Sequence, residues 1–304
     1  MLARIIAAML IAGLPLLFVP APAAAQAGGA SELPRTPWGH PDLQGIWSNS
    51  TTTPMERPED LAGREFLTEE ERAERNVGSG ISAEEQSDFM PTGAYNDYWL
   101  EKGELSLRTS LIVDPADGRY PPRTPEADAR RAKRFASFTG GGELASWEDF
   151  STYDRCLTRG MPGSMTPGFY NHNYQILQTP DHVVILVEMI HDARIVPLGG
   201  SAADGIGQWL GQSRGRWEGD TLVIETTNLE EPQRRVVERL TRTSPDTIDY
   251  RVTVSDEDEW TGPWTALMPM AAIEGPIFEY ACHEGNYALG NMLAGKRAEE
   301  AEAR

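Results

Sequence analysis

From Tyr170 onward the chain repeats one pattern: a short run of apolar and β-branched residues, a turn-forming group, then another such run. The runs are Tyr174–Thr179, His182–Ile190, Arg194–Leu198, Gly215–Trp217, Thr221–Asn228, Val236–Thr243, Thr247–Ser255, Trp264–Met268 and Ile277–His283. Pro180-Asp181, His191-Asp192, Glu218-Gly219-Asp220 and Ser244-Pro245-Asp246 separate them, and each is ordinary turn chemistry. No helical period of useful length intervenes, so hairpins rather than parallel crossovers join the strands. Val183, Ile185, Val187 and Met189 make one apolar face, yet Val184, Leu186 and Ile190 on the other face are apolar too. A sheet closed around a partly polar lumen, with its outside covered, accounts for both faces better than a sandwich with one wet face. The prediction is a mainly β protein: an antiparallel meandering β-barrel with an irregular, partly helical N-terminal segment packed on it.

Residues 1–27 read as a secretory signal peptide, with Arg4, an apolar core from Ile5 to Phe18 and a small-residue end, followed by a linker over 28–37. The segment 38–150 carries short strand-like pieces (Gly45-Ile46-Trp47; Ser106–Asp114) and two helices, Leu67–Asn76 and Pro125–Phe135. Thr68 and Thr124 are their hydroxyl caps, each followed by early acids. The barrel domain spans 151–295 and a charged, mobile tail 296–304.

Without Arg4, 26 basic residues face 46 acidic ones, a formal charge of about −20 that repels phosphate backbones and anionic headgroups alike. Nucleic acid and membrane insertion are therefore excluded as expectations, a small-molecule substrate or ligand is expected, and the oligomeric state is left open. The expected location is periplasmic or secreted. In that setting the two cysteines, Cys156 and Cys282, make one disulfide across a loop of more than a hundred residues. The chain-entropy model values such a bond at roughly 3–5 kcal/mol. Two buried free thiols are the alternative.

The stretches PWGHPDLQGIWSN, YDRCLTRGMPG, YQILQTPDHVVILVEMIHDARIVPL, GRWEGDTLVIETTN and YACHEGNY resemble a widespread group of exported bacterial proteins that carry no assigned function. The likeness runs over nearly all of the chain after residue 27 and implies no particular chemistry. The Gly45-Ile46-Trp47 triplet also resembles that of lipocalin-like barrels, which implies a calycin-type barrel.

Three groups of residues are candidates for chemistry. The first is Glu188, His191, Asp192 and Arg194 in EMIHDARIVPLGG. If His191-Asp192 is a two-residue loop, Met189 lies opposite Arg194 and Glu188 opposite Ile195, so the acid and the Arg are split between faces. The cluster is then either a solvated turn with Arg194 paired elsewhere or one rim of a site. The second group is YACHEG: on a strand Glu279 and His283 share a face, an acid–base pair in which the carboxylate fixes the imidazole tautomer. A disulfide at Cys282 would bring Arg159 close; a structural strand-end histidine is the plainer reading. The third is Asn171, His172, Asn173 and Tyr174, a polar entry to the first long strand that suits a carbonyl or hydroxyl, or simply a turn.

There is no Gly-x-Ser-x-Gly elbow, Walker loop or dinucleotide glycine pattern, and no His pair stands at a familiar metal spacing. Neither cofactor nor metal is expected. His191, Asp192, His283 and Glu279 are the expected catalytic groups; Asn171, His172, Asn173, Tyr174, Arg159, Arg194 and Glu188 the expected substrate contacts. Together they suit a cofactor-independent enzyme of isomerase, hydratase, lyase or cyclase type, acting on a small hydrophobic or aromatic compound in a barrel cavity. Strand acids at Glu188, Glu225 and Glu279 favour catalysis, unless Arg239 or Arg251 pairs them. The alternative is a periplasmic binding or carrier protein of lipocalin type.

Overall fold

The structure, a computed structural model, describes residues 33–78, 101, 103–138, 144–168, 170–200 and 206–303. The expected signal peptide and the first residues of the linker lie outside them. Eleven strands form one sheet: β1 (Gly45–Ser48), β2 (Ile112–Asp114), β3 (Asn173–Gln178), β4 (His182–Val187), β5 (Ala193–Pro197), β6 (Gln212–Glu218), β7 (Thr221–Thr227), β8 (Arg235–Ser244), β9 (Thr247–Ser255), β10 (Trp264–Leu267) and β11 (Met270–Ala272). Nine of them follow the order β5-β4-β3-β1-β11-β9-β8-β7-β6, all antiparallel. The two ends of that path touch at one point, where Leu198 bridges Gly215 and the Gly199 amide donates to the Gly215 carbonyl at 2.8 Å. The sheet is thus a nearly closed barrel. A Cβ on Gly215 would stand 2.8 Å from Leu198 Cδ2 and 3.1 Å from Val196 Cγ1, so any side chain there would have to displace those of Leu198 and Val196 where the ends meet.

Alternation decides what fills the barrel. Val183, Ile185 and Val187 of β4, Leu222 and Ile224 of β7, Val236 and Leu240 of β8, and Ile248, Tyr250, Val252 and Val254 of β9 are buried in one core. Each such aliphatic side chain contributes about 1.5–3 kcal/mol. The lumen is packed with these side chains rather than left as an open cup.

The N-terminal segment, expected on the outside, supplies a stave. β1 lies between β3 and β11, with Trp47 opposite Tyr174 on one side and Ala272 on the other. Hydrogen-bonded on both edges, β1 turns Trp47 into the core, where the indole donates to the Leu43 carbonyl at 2.9 Å. β2 pairs with β10, whose other edge joins β9. Outside the sheet, α1 (Glu69–Gly78) begins at a capping box: Glu71 N–H donates to Thr68 Oγ1 at 3.2 Å and Thr68 N–H to the Glu71 carboxylate at 2.9 Å. α2 (Pro125–Phe138) is capped by Thr124, whose hydroxyl accepts from Ala127 N–H at 3.1 Å.

Two expectations fail at the C-terminus. Ile277–His283 is irregular instead of a strand, and the edge of β1 away from β3 is paired with the short β11. The charged tail continues α3 (Ala288–Glu302), where Lys296 and Arg297 pair with Glu299 and Glu300 three residues on.

Candidate functional site

The turn after β4 determines where the first candidate cluster goes. Ile185 pairs with Arg194 and Leu186 with Ala193, so the loop is five residues, 188–192, and not the two-residue turn of the sequence reading. Arg194 therefore shares the inward face of Ile185. Ile190 and His191 take φ values of 61° and 48°, left-handed angles that cost a β-branched residue on the order of 1–2 kcal/mol. The surroundings hold them there: Ile190 fills the core, His191 Nδ1 lies 3.0 Å from the Tyr280 carbonyl, and Asp192 accepts a 2.8 Å hydrogen bond from Thr158 Oγ1.

Inside the barrel, Arg194 meets an acid the sequence reading did not select. Its guanidinium donates to both oxygens of Glu238, at 2.9 and 2.5 Å, and the Tyr250 hydroxyl donates to the same carboxylate at 2.8 Å. Ser213 Oγ and Thr226 Oγ1, 2.8 Å apart, each lie 3.4 Å from Arg194 Nη2. All five side chains are buried. Burial opposes the Arg194 charge, but the Glu238 carboxylate outweighs it and leaves the guanidinium more firmly protonated than usual; burial and Glu238 together push the Tyr250 phenol well up. Arg194 Nε has no hydrogen-bond partner among the described residues. A signal for Glu238 was present: alternation puts it inward between Val236 and Leu240, an acid on an otherwise apolar face.

The network floors a cavity. From their meeting point at Leu198 and Gly215, β5 and β6 form no ladder, and the seam they leave is a cavity of about 1070 Å³. Arg194 and Ser213 lie at its base; Ile195, Trp209 and Leu229 give it apolar walls; Asp192 and Glu230 stand on its rim. Asp192 is half-buried, and desolvation raises its carboxyl above the usual range despite hydrogen bonds from Thr158 and Ser164 and the nearby His191 and Arg194 charges. A second cavity, about 710 Å³, shares Trp209, Glu230 and Pro232 with the first and contains Thr158 and Arg159.

The other expected residues do not converge there. Glu188 is buried and ties the chain together, accepting from Asn173 Nδ2 at 2.6 Å and from the Phe278 amide at 2.9 Å. It lines a separate cavity of about 440 Å³ with His191 and Glu279. Glu225 pairs with Arg235 at 2.8 Å and Arg239 with Glu218 at 2.8 Å, so the strand acids invoked for catalysis have structural partners or, for Glu279, an exposed position. His172 is buried; its Nε2 accepts from the Tyr170 amide at 3.1 Å, and burial with the nearby Arg159 charge lowers its imidazole to about 3. Tyr174 is buried with its hydroxyl on Asn49 at 3.2 Å, and Asn171 takes a left-handed φ of 55°. His283 is exposed in the irregular C-terminal arm, and the strand face it was to share with Glu279 does not form. Cys156 and Cys282 are joined, with Cα atoms 5.7 Å apart.

Among the described residues no three His, Cys, Asp or Glu side chains gather as a metal site, and no helix is long and apolar enough to cross a membrane. No family model matches the sequence, and no match is found among curated proteins or solved structures.

Proposed function

We propose that the protein is an enzyme performing acid–base chemistry, of isomerase, hydratase, lyase or cyclase type, on a small hydrophobic or aromatic compound held in the seam between β5 and β6. The observation that carries this reading is Asp192: a half-buried carboxyl with a raised pKa that lines the cavity of about 1070 Å³ together with the buried Arg194. A carboxyl lifted toward neutrality exchanges protons more effectively at neutral pH than an ordinary one. Arg194, held rigid by Glu238, gives the cavity a fixed polar base against which a substrate is oriented toward Asp192. Trp209 and Ile195, 43% and 65% exposed, offer the apolar surface a hydrophobic substrate would cover.

Export through residues 1–27 belongs to the same proposal, supported by the disulfide, which persists in oxidising compartments. The lumen is filled, so a ligand carried in lipocalin manner inside the barrel has no room; a carrier of this fold would use the seam. Incubating the purified protein and its Asp192→Asn variant with small-molecule extracts of the native medium separates the two. Enzyme action requires a compound consumed by the parent and bound but left intact by the variant. Binding to both proteins without consumption by either makes the seam a carrier site.

A further inference from the structure

The strand edges that face the seam specify its ligand more closely than the side chains do. In the β4–β5 ladder the Val187 amide donates to the Asp192 carbonyl at 2.8 Å, and just past the other end the Leu198 amide donates to the Asp181 carbonyl at 2.7 Å. Backbone groups alternate sides along an antiparallel strand. Asp192, Arg194, Val196 and Leu198 thus bond toward β4, and Ala193 and Ile195 direct their amides and carbonyls, and Pro197 its carbonyl, into the seam. On the other side, Gly215 gives its carbonyl to Gly199 and so faces β5; by the same alternation Ser213 does too. The Ser213 carbonyl is taken by Arg214 Nη1 at 2.8 Å, which leaves its amide facing the cavity.

We infer that the seam accepts an extended, amide-bearing chain, a short peptide laid along β5, which pairs with Ala193 and Ile195. This deepens the function proposed above and rests on it, naming the hydrophobic compound as peptide-like. A donor and an acceptor on one residue, repeated two residues and about 7 Å further on, is the spacing that another extended backbone presents. A compact ring with one or two polar atoms leaves half of those groups unmet. The cavity, at about 1070 Å³, also stands at the top of the roughly 300–1,000 Å³ range of small-molecule sites. Pro197 has no amide to offer, so pairing stops where β5 and β6 converge. The charge of Arg194 is offset by Glu238, whereas Asp192 and Glu230 stand on the rim, so the preferred peptide carries apolar side chains and a basic one.

The probe is acetyl-Phe-Val-Lys-Val-Phe-amide, with two analogues N-methylated at odd or at even backbone positions. Titration calorimetry on the full exported chain gives affinities, and amide hydrogen exchange follows Ala193 and Ile195. Strand pairing predicts that one methylation pattern weakens binding by about 10- to 30-fold and the other by little, because only alternate amides face β5. The Ala193 and Ile195 amides must also gain protection. Ile195→Pro, at an exposed edge position, is expected to weaken binding several-fold while Ile195→Val does not; should the Pro variant fail to fold, the analogues and the exchange decide. Equal affinity of all three peptides, or exchange at Ala193 and Ile195 left unchanged, overturns the inference. Amide-free 2-naphthol separates the two proposals. If it enters the seam and the peptide does not, strand pairing fails and the seam remains a ligand site; if neither enters, both proposals fail.

Discussion

Arg194 and Glu238, forty-four positions apart in the chain, form a two-pronged ion pair inside the barrel, with N–O distances of 2.9 and 2.5 Å and almost no solvent contact on either side chain. Removing one partner strands a buried charge, so Arg194→Met and Glu238→Gln are each expected to lower stability by about 3–5 kcal/mol. Replacing the unit with apolar groups (Arg194→Met, Glu238→Leu, Tyr250→Phe) is expected to cost less than either single change. Denaturant unfolding measures all three. A triple variant as unstable as the sum of its parts would mean that the pair is a net stabiliser rather than a fixed polar floor.

Asp192 makes a prediction whose sign follows from its raised carboxyl. A folded pKa above the unfolded one favours the protonated form, so its contribution to stability is present at low pH and is lost as pH rises through the folded value. Asp192→Asn is therefore expected to be at least as stable as the parent at neutral pH, with the difference shrinking on acidification. Turnover, once a substrate is in hand, is expected to fall by about 10²–10⁴-fold. Loss of folding in the variant would make Asp192 a purely structural anchor for Thr158.

His172 behaves in the opposite way. Its imidazole, lowered to about 3 by burial and by Arg159, stays neutral in the fold and charges in the unfolded chain below about 6.5. Its stabilising contribution is complete above that upper value and is lost as pH falls toward the lower one, at up to about 1.4 kcal/mol per pH unit. Nitrogen-detected NMR at pH 5 is expected to show a neutral ring accepting at Nε2. A protonated ring at that pH would contradict the buried placement.

Trp47 is a stave residue and not a lid. Trp47→Ala opens a cavity against Tyr174 and removes the indole bond to Leu43, and is expected to cost about 3–5 kcal/mol by thermal or denaturant unfolding. Unchanged melting would remove β1 from the barrel.

The local grammar of the fold was legible, and its long-range joins were not. His182–Val187 shows its two-residue period and Pro180-Asp181 its turn, so strands β3 to β9 could be placed to within a few residues. Ile277–His283 has the same texture, yet it joins no strand, because local composition does not specify which partner edge a segment reaches. In the candidate site, Arg194 and Asp192 line one cavity, but the two-residue turn expected at His191-Asp192 is a five-residue loop, 188–192, with Ile190 reaching the core. Glu238 and Ser213 join Arg194 only because the barrel curls, a tertiary fact with no local trace beyond an acid on an apolar face.

The claim on which the rest depends is that ligands enter between β5 and β6. Mapping amide and indole NMR shifts of the purified protein during titration with 2-naphthol tests it most directly. The seam account predicts saturable shifts centred on Ala193, Ile195, Trp209 and Ser213, retained in Asp192→Asn. Shifts centred instead on His191 and Glu279, with those four residues unmoved, would contradict it and move the site to the cavity beneath the C-terminal arm.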